Sequence, residues 1–466
     1  MSGGSSDSSD VLARTWDSRP GLIGWLGAVN HKQIGRRYLV TTLVFFAIGG
    51  IQSLLMRIQL GTPENTFLDP QTYNELFTMH GTTMMFLFAV PMIEALGIYL
   101  GPLVIGARDM PFPRINAFGY WCYLYGGIFL YSSFLNGTAP DGGWNAYTPL
   151  TGSEFTPSSA VDFWLLGVTF VEIAGIVAAV ELIVMLLANR APGMSLARMP
   201  LFAWAQLVTA VMIVFAFPPL VGGGLMLELE RKLGWVFFDP ARGGDPELWQ
   251  HLFWWFGHPE VYILLIPAFG AISMIIPTFA RRQIVGYPFV AASTVAIGIV
   301  SFGLWAHHMY ATGIPLLALS YFAAGSFIIA IPSGVQVFSW IATLWRGEVR
   351  WDIPLLWVVG ALLTFVAGGI TGVMVASVPF DWQAHDTYFV VAHFHYVLMG
   401  GMVFPIFAAL HYWLPKITGR MPSQRWGKVG FWLVMAGMNG TFFLQHVVGL
   451  LGMPRRIYTS QSRPAG

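Results

Sequence analysis

Long apolar stretches recur along nearly the whole chain, and they restrict its possible folds more than any other feature. Each is roughly 20 residues or longer, which is enough for a helix to cross the hydrocarbon core of a bilayer. The sequence therefore predicts an all-α polytopic membrane protein, a bundle of about eleven transmembrane helices. The predicted spans lie near residues 38–57, 75–105, 116–136, 161–188, 201–227, 250–278, 284–311, 314–344, 354–379, 386–413 and 427–450.

The scarcity of charge supports the same conclusion. Of 466 residues, 55% are hydrophobic and only 10% are charged, whereas soluble domains average about 25% charged residues. So few charges cannot cover a soluble chain of this size, which excludes an ordinary soluble enzyme. The single cysteine, Cys122, excludes a disulfide-linked secreted scaffold, and a net charge of +1 excludes a basic nucleic-acid-binding protein.

Basic residues indicate how the chain is oriented. Lys and Arg concentrate on alternate loops, near residues 32–37, 108–114, 190–198, 281–282, 346–350 and 416–428. Because cytoplasmic loops carry an excess of Lys and Arg, we expect the N-terminus in the cytoplasm and the C-terminus outside. The expected location is the inner membrane of a bacterium.

The chain divides into three parts. Residues 1–30 form a polar tail rich in Ser, Gly and Asp, without the basic-then-apolar pattern of a signal peptide. Residues 31–454 are predicted to form the membrane domain, and residues 455–466 a short tail on the outer side.

Ionisable side chains are costly inside a membrane, so those in the predicted spans are candidate functional residues. In 251-HLFWWFGHPEVYILLIPAFG-270, His258 and Tyr262 are four residues apart and share a helical face, so their side chains can touch. Glu260 lies about 200° around the helix from His258 and faces elsewhere. A single histidine in a membrane span, taken alone, is as readily a hydrogen-bonded packing residue as a metal ligand.

A second motif, 305-WAHHMY-310, places two histidines side by side in another predicted span. Adjacent helical positions are about 100° apart, so the rings of His307 and His308 can both reach one centre. With His258 they give three imidazoles from two helices, a donor set that suits copper or zinc.

A third motif, 385-HDTYFVVAHFHYVLMGG-401, carries His393 and His395 two residues apart. They lie on nearly opposite flanks of a helix and cannot share a metal, so each must serve a different centre. Two neighbouring haems would require such an arrangement. His80, in 77-FTMHGTTMMF-86, is available as a second axial ligand for one of them.

These motifs together resemble subunit I of the haem–copper oxidases, most nearly the A-type cytochrome c oxidases. The resemblance runs from 22-LIGWLGAVNHKQIG-35 to 452-GMPRR-456, nearly the whole chain. It implies that His80 and His395 ligate a low-spin haem and that His393 is the proximal ligand of a high-spin haem. It further implies that copper B is held by His258, His307 and His308. Tyr262 would be covalently joined to His258.

The resemblance also assigns residues toward the outer side. Arg455 and Arg456 look like the pair that binds haem propionates, with Trp144 of 143-GWNAYTPL-150 nearby. Arg57 matches an arginine near the low-spin haem. His385 and Asp386 resemble the ligands of a magnesium ion at the interface with subunit II.

The function implied is the reduction of oxygen to water by a terminal respiratory oxidase, coupled to proton uptake and pumping. An iron and a copper facing each other, with a tyrosine able to give an electron and a proton, can deliver four electrons in quick succession. In the family, the glutamate matched by Glu260 is the branching point between chemistry and pumping. The implied partners are oxygen, cytochrome c as donor, subunit II with copper A, subunit III and the lipid bilayer; nucleic acid is not expected.

The proton pathways depart from the family pattern. The D-type pathway keeps Asp109 and Asn116, but two other Asn positions are Ile98 and Glu181. A serine pair is replaced by Ala174 and Gly175; Glu94, one turn before Ile98, would restore polarity, although Glu94, Glu172 and Glu181 could equally pair with neighbours. In the K-type pathway Ser273 is kept, Ser333 stands for the usual Thr, and Gln336 replaces the family's Lys. We therefore expect weakened K-type proton transfer.

Two alternatives remain open from the sequence, a quinol oxidase and a membrane protein without cofactors, whereas a nitric oxide reductase is disfavoured. A quinol oxidase on the same fold tends to have His and Gln just before the low-spin haem ligand, where this chain has Thr72 and Glu75. Nitric oxide reductases lack the Glu–Val–Tyr pattern found here. A transporter or assembly subunit without cofactors would use its histidines only for packing. We also expect that the family's twelfth span is absent.

Overall fold

The structure, a computed structural model, describes Arg14 and residues 20–460. That part of the chain is helical, with one isolated β-bridge between Thr387 and Pro454. The long helices are α1 His31–Gln59, α2 Pro70–Ile105, α3 Pro113–Ser132, α4 Ala160–Ala188, α5 Leu201–Leu233, α6 Pro246–Ala280, α7 Tyr287–Gly303, α8 Leu316–Trp345, α9 Ile353–Val375, α10 Tyr388–Thr418 and α11 Gln424–Leu450. Both predicted tails fall partly outside the described residues.

The predicted all-α membrane bundle is confirmed. Within the described residues, nine of these helices are long and apolar enough to cross a bilayer, and they coincide with nine predicted spans. The other two predicted spans, 116–136 and 284–311, fall on α3 and on the shorter apolar helix α7.

The outer surface of the bundle is apolar. Large side chains such as Leu54, Phe118, Phe215, Ile299 and Trp432 are each more than half exposed. A soluble protein rarely exposes so much apolar surface, whereas lipid covers it at no cost. Large aromatic residues and buried polar groups fill the interior instead.

Helices α2 and α10 each contain a π-helical turn. In α2 the turn spans Thr83–Ala89, just after His80. In α10 it spans Met399–Val403, just after His395. Such turns insert an extra residue into an α-helix and are frequent at functional sites. Two histidine-bearing helices are therefore locally distorted next to the histidine.

An internal proline removes one backbone hydrogen bond from helix α6. Pro259 lies between His258 and Glu260 inside the helix. Because proline has no N–H, the carbonyl four residues earlier, that of Trp255, loses its usual intrahelical donor. Membrane helices tolerate this defect because neighbouring groups satisfy the freed carbonyl. The defect lies at the level of the polar residues that the sequence singled out.

Candidate functional site

Three imidazole rings meet inside the bundle. Nδ1 of His258, on α6, lies 3.1 Å from Nε2 of His308, and Nε2 of His307 lies 3.1 Å from that same His308 atom. Among the described residues, this is the one group of three or more His, Cys, Asp or Glu whose ligand atoms lie within 4.8 Å of one another. The structure thus brings together the three histidines that the sequence placed at one centre.

The backbone at His307 and His308 differs from the expectation. They lie on a 3-10 turn, Trp305–Met309, that follows α7, so their placement inside an α-helical span was wrong. Neighbouring residues of a 3-10 turn are about 120° apart rather than about 100°. Both rings still reach His258, with ring centroids 4.4 and 5.3 Å away, because the turn packs against α6.

A serine fixes the protonation of His307. Ser326 Oγ on α8 donates its only proton to the Phe322 carbonyl oxygen, at 2.6 Å. It must therefore accept from Nδ1–H of His307, which lies 2.8 Å away. In the neutral ring, Nε2 then carries the lone pair and faces the other two histidines. This is the hydrogen bond that orients a metal-binding imidazole.

The other two rings are held by aromatic contacts. His308 stacks on Trp254, with ring centroids 3.8 Å apart and an interplanar angle of 8°. The rings of His258 and Tyr262 lie 4.8 Å apart, on the shared helical face that the spacing predicted. Nε2 of His258 is buried and makes no hydrogen bond to the described residues.

His393 lies near the three imidazoles. It lies within electrostatic range of His258, His307 and His308. Its Nδ1 is 3.0 Å from the Gly368 carbonyl oxygen of α9, which directs Nε2 away from that helix.

Close packing of α9 against His393 depends on glycine. A Cβ built on Gly372 would lie 2.9 Å from Cε1 of His393. A larger residue at this position would push the imidazole out of line. Thr371 Oγ1, at 3.1 Å from His393 Nδ1, donates to the Gly368 carbonyl and adds to the same cluster.

His395 faces the opposite side of α10. It stacks on Phe442 of α11 at 3.9 Å, and its Nδ1 donates to the Val391 carbonyl oxygen at 2.8 Å. His395 lies within electrostatic range of His80 and Arg57. Nδ1 of His80 in turn donates to the Gly49 carbonyl oxygen of α1 at 2.8 Å. The predicted division of His393 and His395 between two centres agrees with this geometry.

An ion-paired loop closes one end of the bundle. Arg455 pairs with the Asp386 carboxylate, with Nε 2.6 Å from Oδ1, and its backbone N–H donates to the Asp386 carbonyl oxygen at 2.8 Å. Burial alone would raise the pKa of Asp386, but the charges of Arg455 and His385 and the hydrogen bond from Arg455 together outweigh it and hold that pKa below its ordinary value. The Asp381 carboxylate, 2.9 Å from Nδ1 of His385, raises the pKa of His385.

The remaining residues predicted near haem surround this end. The Arg456 guanidinium lies 5.6 Å from the ring centre of Phe77, one turn before His80. Trp144 packs beside Gly81, where a built Cβ would lie 3.0 Å from the Trp144 Cβ. The Arg57 guanidinium lies over a different ring, 5.7 Å from the centre of Tyr388.

At the opposite end, Asp109 lies in the loop between α2 and α3. Its Oδ1 accepts from the backbone N–H of His31 at 3.0 Å, lies 3.0 Å from His31 Nδ1, and accepts from the Met110 N–H at 2.8 Å. Burial would raise the pKa of Asp109, but these hydrogen bonds outweigh it and lower that pKa. Asp109 lines an open cavity of about 380 Å³ with Asn189 and Pro192.

Buried polar groups continue from this loop into the bundle. Glu181 Oε1 accepts from the Phe112 N–H at 3.0 Å, while its Oε2 is buried without a hydrogen bond to any described residue. The same holds for Nδ2 of Asn116 and for both carboxyl oxygens of Glu260. The alternative that Glu94, Glu172 and Glu181 pair with neighbours therefore holds for Oε1 of Glu181, whereas Oε1 of Glu94 and Oε1 of Glu172 are buried without a hydrogen bond to the described residues.

The second set of polar residues is bonded internally. Trp340 Nε1 donates to Ser273 Oγ at 2.9 Å, and Gln336 Nε2 donates to Thr294 Oγ1 at 3.1 Å. Thr294 Oγ1 in turn donates to the Val290 carbonyl, and Ser333 Oγ to the Ile329 carbonyl. Gln336 is 1% exposed, so its amide forms part of the packed interior.

Four contacting residues were not identified from the sequence. His31 binds Asp109, Asp381 binds His385, Ser326 orients His307, and Trp254 supports His308. Asp381 precedes His385 by four residues, a helical spacing that could have revealed it. The other three contacts join distant parts of the chain, and no local pattern predicts them.

Three comparisons place this chain among known proteins. The family model for cytochrome c and quinol oxidase polypeptide I matches residues 33–465. Cytochrome c oxidase subunit 1 of Bacillus subtilis is 47% identical over 438 residues, covering 94% of this chain and 70% of the relative. The same subunit of Corynebacterium efficiens is 45% identical over 445 residues, covering 95% and 76%.

A solved structure shares the fold. It is a cryo-EM structure of a heme-copper terminal oxidase dimer, with a TM-score of 0.77 and 19% sequence identity. The alignment covers 93% of this chain and 77% of that one. The bundle described above therefore has the architecture of a known terminal oxidase chain.

Proposed function

This chain belongs to the family of cytochrome c and quinol oxidase polypeptide I, and from that premise we propose that it is the subunit in which a terminal oxidase reduces oxygen to water with electrons from cytochrome c. The observation that carries the proposal is the meeting of His258, His307 and His308, with His393 near them. The relatives named above are subunit 1 of cytochrome c oxidases. A quinol oxidase remains the second candidate for the donor.

The three imidazoles fit a copper ion. Nε2 of His308 lies 3.1 Å from a nitrogen of each neighbour, and three lone pairs directed at one point repel unless a cation lies between them. Ser326 already uses the other nitrogen of His307. We propose that His258 through Nδ1, and His307 and His308 through Nε2, hold copper B.

Three further histidines fit axial haem ligation. His80, His393 and His395 each have Nδ1 within 3.0 Å of a backbone carbonyl oxygen, which leaves Nε2 as the ligand atom. We propose that His393 is the ligand of a high-spin haem on the copper side, and that His80 and His395 hold a low-spin haem. When bound, the two haems and copper carry electrons to oxygen.

Tyr262 is suited to supply an electron and a proton for oxygen reduction. Its ring lies 4.8 Å from that of His258, whose buried Nε2 makes no hydrogen bond to the described chain. A covalent bond between this nitrogen and a ring carbon of Tyr262 would replace the N–H bond and one ring C–H bond, a two-electron oxidation for which oxygen is the oxidant, and would remove an unpaired buried donor. We propose that the Tyr262 hydroxyl gives a proton and an electron during oxygen reduction.

Charged residues at the predicted outer end suit the haem carboxylates and a cation. Arg455, Arg456, Arg57 and Trp144 surround the outer end of α2 and α10, where we propose that Arg455 and Arg456 bind haem propionates. Nε2 of His385 and Oδ2 of Asp386 are 4.0 Å apart, so both can ligate one magnesium ion. We propose that subunit II supplies its remaining ligands. The two residues that would hold the ion are His385 and Asp386.

Protons would enter from the predicted cytoplasmic side. We propose that Asp109 is the mouth of one route, that Asn116 and Glu181 line it, and that it ends at Glu260, which passes protons to oxygen chemistry and to pumping. Ser273, Ser333 and Gln336 would line a second route. Because Gln336 cannot carry a proton as an ammonium does, transfer there is expected to be slow.

The assembly follows from these roles. We propose that residues 31–454 form the membrane domain, with residues 1–30 on the cytoplasmic side and 455–466 outside. The expected location is a bacterial inner membrane, with subunit II carrying copper A and subunit III as neighbours. Electrons from cytochrome c would enter this chain through subunit II.

Oxygen consumption by the purified oxidase complex tests the proposal. Reduced cytochrome c should support turnover, and a reduced quinol should not. The His308→Ala variant should consume no oxygen, while His411→Ala, outside the three-imidazole site, should remain active. Turnover with quinol alone would overturn the donor assignment, and full activity of His308→Ala would overturn the site.

A further inference from the structure

Two buried carboxyls have no role in the routes proposed above. Glu94 on α2 is 2% exposed and Glu172 on α4 is 1% exposed. In each, Oε1 is buried and makes no hydrogen bond to the described residues. Burial of an unsatisfied polar group is unfavourable. A buried carboxyl in a membrane interior is therefore a candidate functional group rather than a neutral packing element.

Gly175 leaves room for the Glu94 carboxyl. A Cβ built on Gly175 would lie 2.9 Å from Oε1 of Glu94 and 2.6 Å from the ring of Phe217. The carboxyl of α2 thus occupies the place where any other side chain at position 175 of α4 would stand. Phe217 stacks edge-on against Phe256, one turn before Glu260, with centroids 5.3 Å apart. The carboxyl of Glu94 therefore lies beside Phe217, whose ring packs between Gly175 of α4 and Phe256 of α6.

The sequence of residues along α4 gives the order in which the carboxyls follow one another. Glu172 and Gly175 are three residues apart and share a helical face, so the Glu94 carboxyl, which lies beside Gly175, is about one helical turn from the Glu172 backbone. Glu181 is nine residues beyond Glu172, or about 13.5 Å along the axis. Glu172 lies within electrostatic range of Glu260. At the other end, the charge of Asp109 acts on Glu181. The row therefore runs from Asp109 through Glu181, Glu94 and Glu172 to Glu260.

A buried amide lies between Glu181 and Glu94 in this row. Gln206 of α5 is 1% exposed, and its Oε1 makes no hydrogen bond within the described chain. A Cβ built on Gly97, one turn from Glu94, would lie 2.8 Å from that oxygen and 3.2 Å from Leu182, the neighbour of Glu181. Gln206 therefore places a buried hydrogen-bond acceptor without a partner in the described chain between Glu181 and Glu94.

We propose that Glu94 and Glu172 carry protons between Glu181 and Glu260, as carboxyl stations of the route that begins at Asp109. The proposal rests on the proposed function, since it concerns the protons that oxygen reduction consumes. In each step a carboxylic acid breaks its O–H bond and gives the proton to water on the Glu260 side. The carboxylate then takes a proton from water on the Asp109 side. Each carboxyl thus returns to its neutral acid form, and no electron moves.

Single-turnover proton uptake by the purified oxidase complex tests this role. The reduced enzyme reacts with oxygen after a flash, and a pH-indicator dye reports proton uptake from bulk water. Glu94→Gln and Glu172→Gln should each slow uptake about tenfold or more, since an amide cannot release and regain a proton as a carboxylic acid does. Glu228→Gln on α5 is the matched control, because Glu228 lies beside Asp162 and outside the row, and uptake there should match the parent.

An infrared readout separates proton carrying from structural support. The redox difference spectrum of the parent should contain C=O bands of protonated carboxyls that disappear in Glu94→Gln and Glu172→Gln. Haem spectra of both variants should stay unchanged. If both variants take up protons at the parental rate while Asp109→Asn is slow, the relay is wrong and the proposed function stands. If the parent complex itself consumes no oxygen, the proposed function fails.

The space at Gly175 provides a second test. Gly175→Ser should displace the Glu94 carboxyl and slow proton uptake, because a side chain at position 175 would occupy the place of that carboxyl. If displacement of Glu94 is the cause, adding Gly175→Ser to Glu94→Gln should slow uptake no further than Glu94→Gln alone. Uptake at the parental rate in Gly175→Ser, with the same infrared bands, would contradict the placement of Glu94 in the row.

Discussion

Nδ1 of His258 and Nε2 of His308 lie 3.1 Å apart, although 50 residues separate them in the chain. Two neutral imidazole nitrogens at this distance need either a proton or a cation between them. His307 presents a third nitrogen to the same His308 atom, and one proton cannot satisfy three lone pairs. The geometry therefore favours a metal ion, and several measurements follow from it.

Removal of one imidazole should empty the copper site alone. We expect His308→Ala to lose copper B and keep both haems, because the haem ligands lie on α2 and α10. Metal analysis and the optical spectrum of the purified complex measure this. His411→Ala should keep all three cofactors, since His411 Nδ1 bonds only to the Phe407 carbonyl on its own helix. Retention of copper B in His308→Ala would contradict the assignment.

The serine that orients His307 should tune copper affinity. Ser326→Ala removes the acceptor 2.8 Å from His307 Nδ1, and loss of such a partner typically costs about 10–100-fold in metal affinity. Competition with a copper chelator measures the change. Ser326→Thr keeps the hydroxyl and should bind copper within a few fold of the parent. Equal copper loss in both variants would mean that packing, rather than the hydrogen bond, matters at this position.

The two flanks of α10 should serve different haems. His395→Ala should remove the low-spin haem signal and leave the high-spin signal, because His395 lies near His80. His393→Ala should do the reverse, because His393 lies near the three imidazoles. Reduced-minus-oxidised spectra and magnetic circular dichroism distinguish the two haems. Loss of the same signal in both variants would show that the histidines share a centre.

Gln336 should limit the second proton route. Gln336 donates to Thr294 and is almost fully buried. We expect slow reduction of the high-spin haem by added electrons in the parent, and faster reduction in Gln336→Lys, whose ammonium can carry a proton. Stopped-flow reduction measures both rates. Gln336→Met, similar in length and unable to carry a proton, should not be faster than the parent, and rapid reduction of the parent would disprove the expectation.

The contact between Asp109 and His31 should appear in acid stability. The folded pKa of Asp109 is below its ordinary value of 3.8, so its ionised form stabilises the fold above that value, and the stabilisation is lost as pH falls through the folded pKa. His31→Ala removes the side-chain contact that opposes the effect of burial on Asp109. The pKa of Asp109 should therefore rise, and stability should be lost at higher pH. Thermal unfolding against pH measures the shift; His31→Gln, which can still donate, should shift less. Identical profiles in parent and His31→Ala would contradict this account.

Much of the fold follows from sequence because the bilayer restricts it. A span of apolar residues must be helical to satisfy its backbone in lipid, and His258, Tyr262, His393 and His395 lie at spacings whose faces are fixed by helical geometry. The relation of His258 to Tyr262 and the separation of His393 from His395 were therefore predictable.

Local and long-range details were not predictable in the same way. The 3-10 turn at His307 and His308 follows the end of α7, and apolar composition does not distinguish it from a continued helix. Contacts such as Ser326 with His307 and Glu94 with Gly175 join helices distant in sequence. Only the packing of the bundle brings them together.

Cofactor content of the purified complex tests the central claim most directly. Haem extraction, copper analysis and a reduced-minus-oxidised spectrum should give two haems, one low-spin and one high-spin, and one copper assigned to this chain because it disappears in His308→Ala. A complex that contains neither haem bands nor a copper lost with His308 would contradict the account.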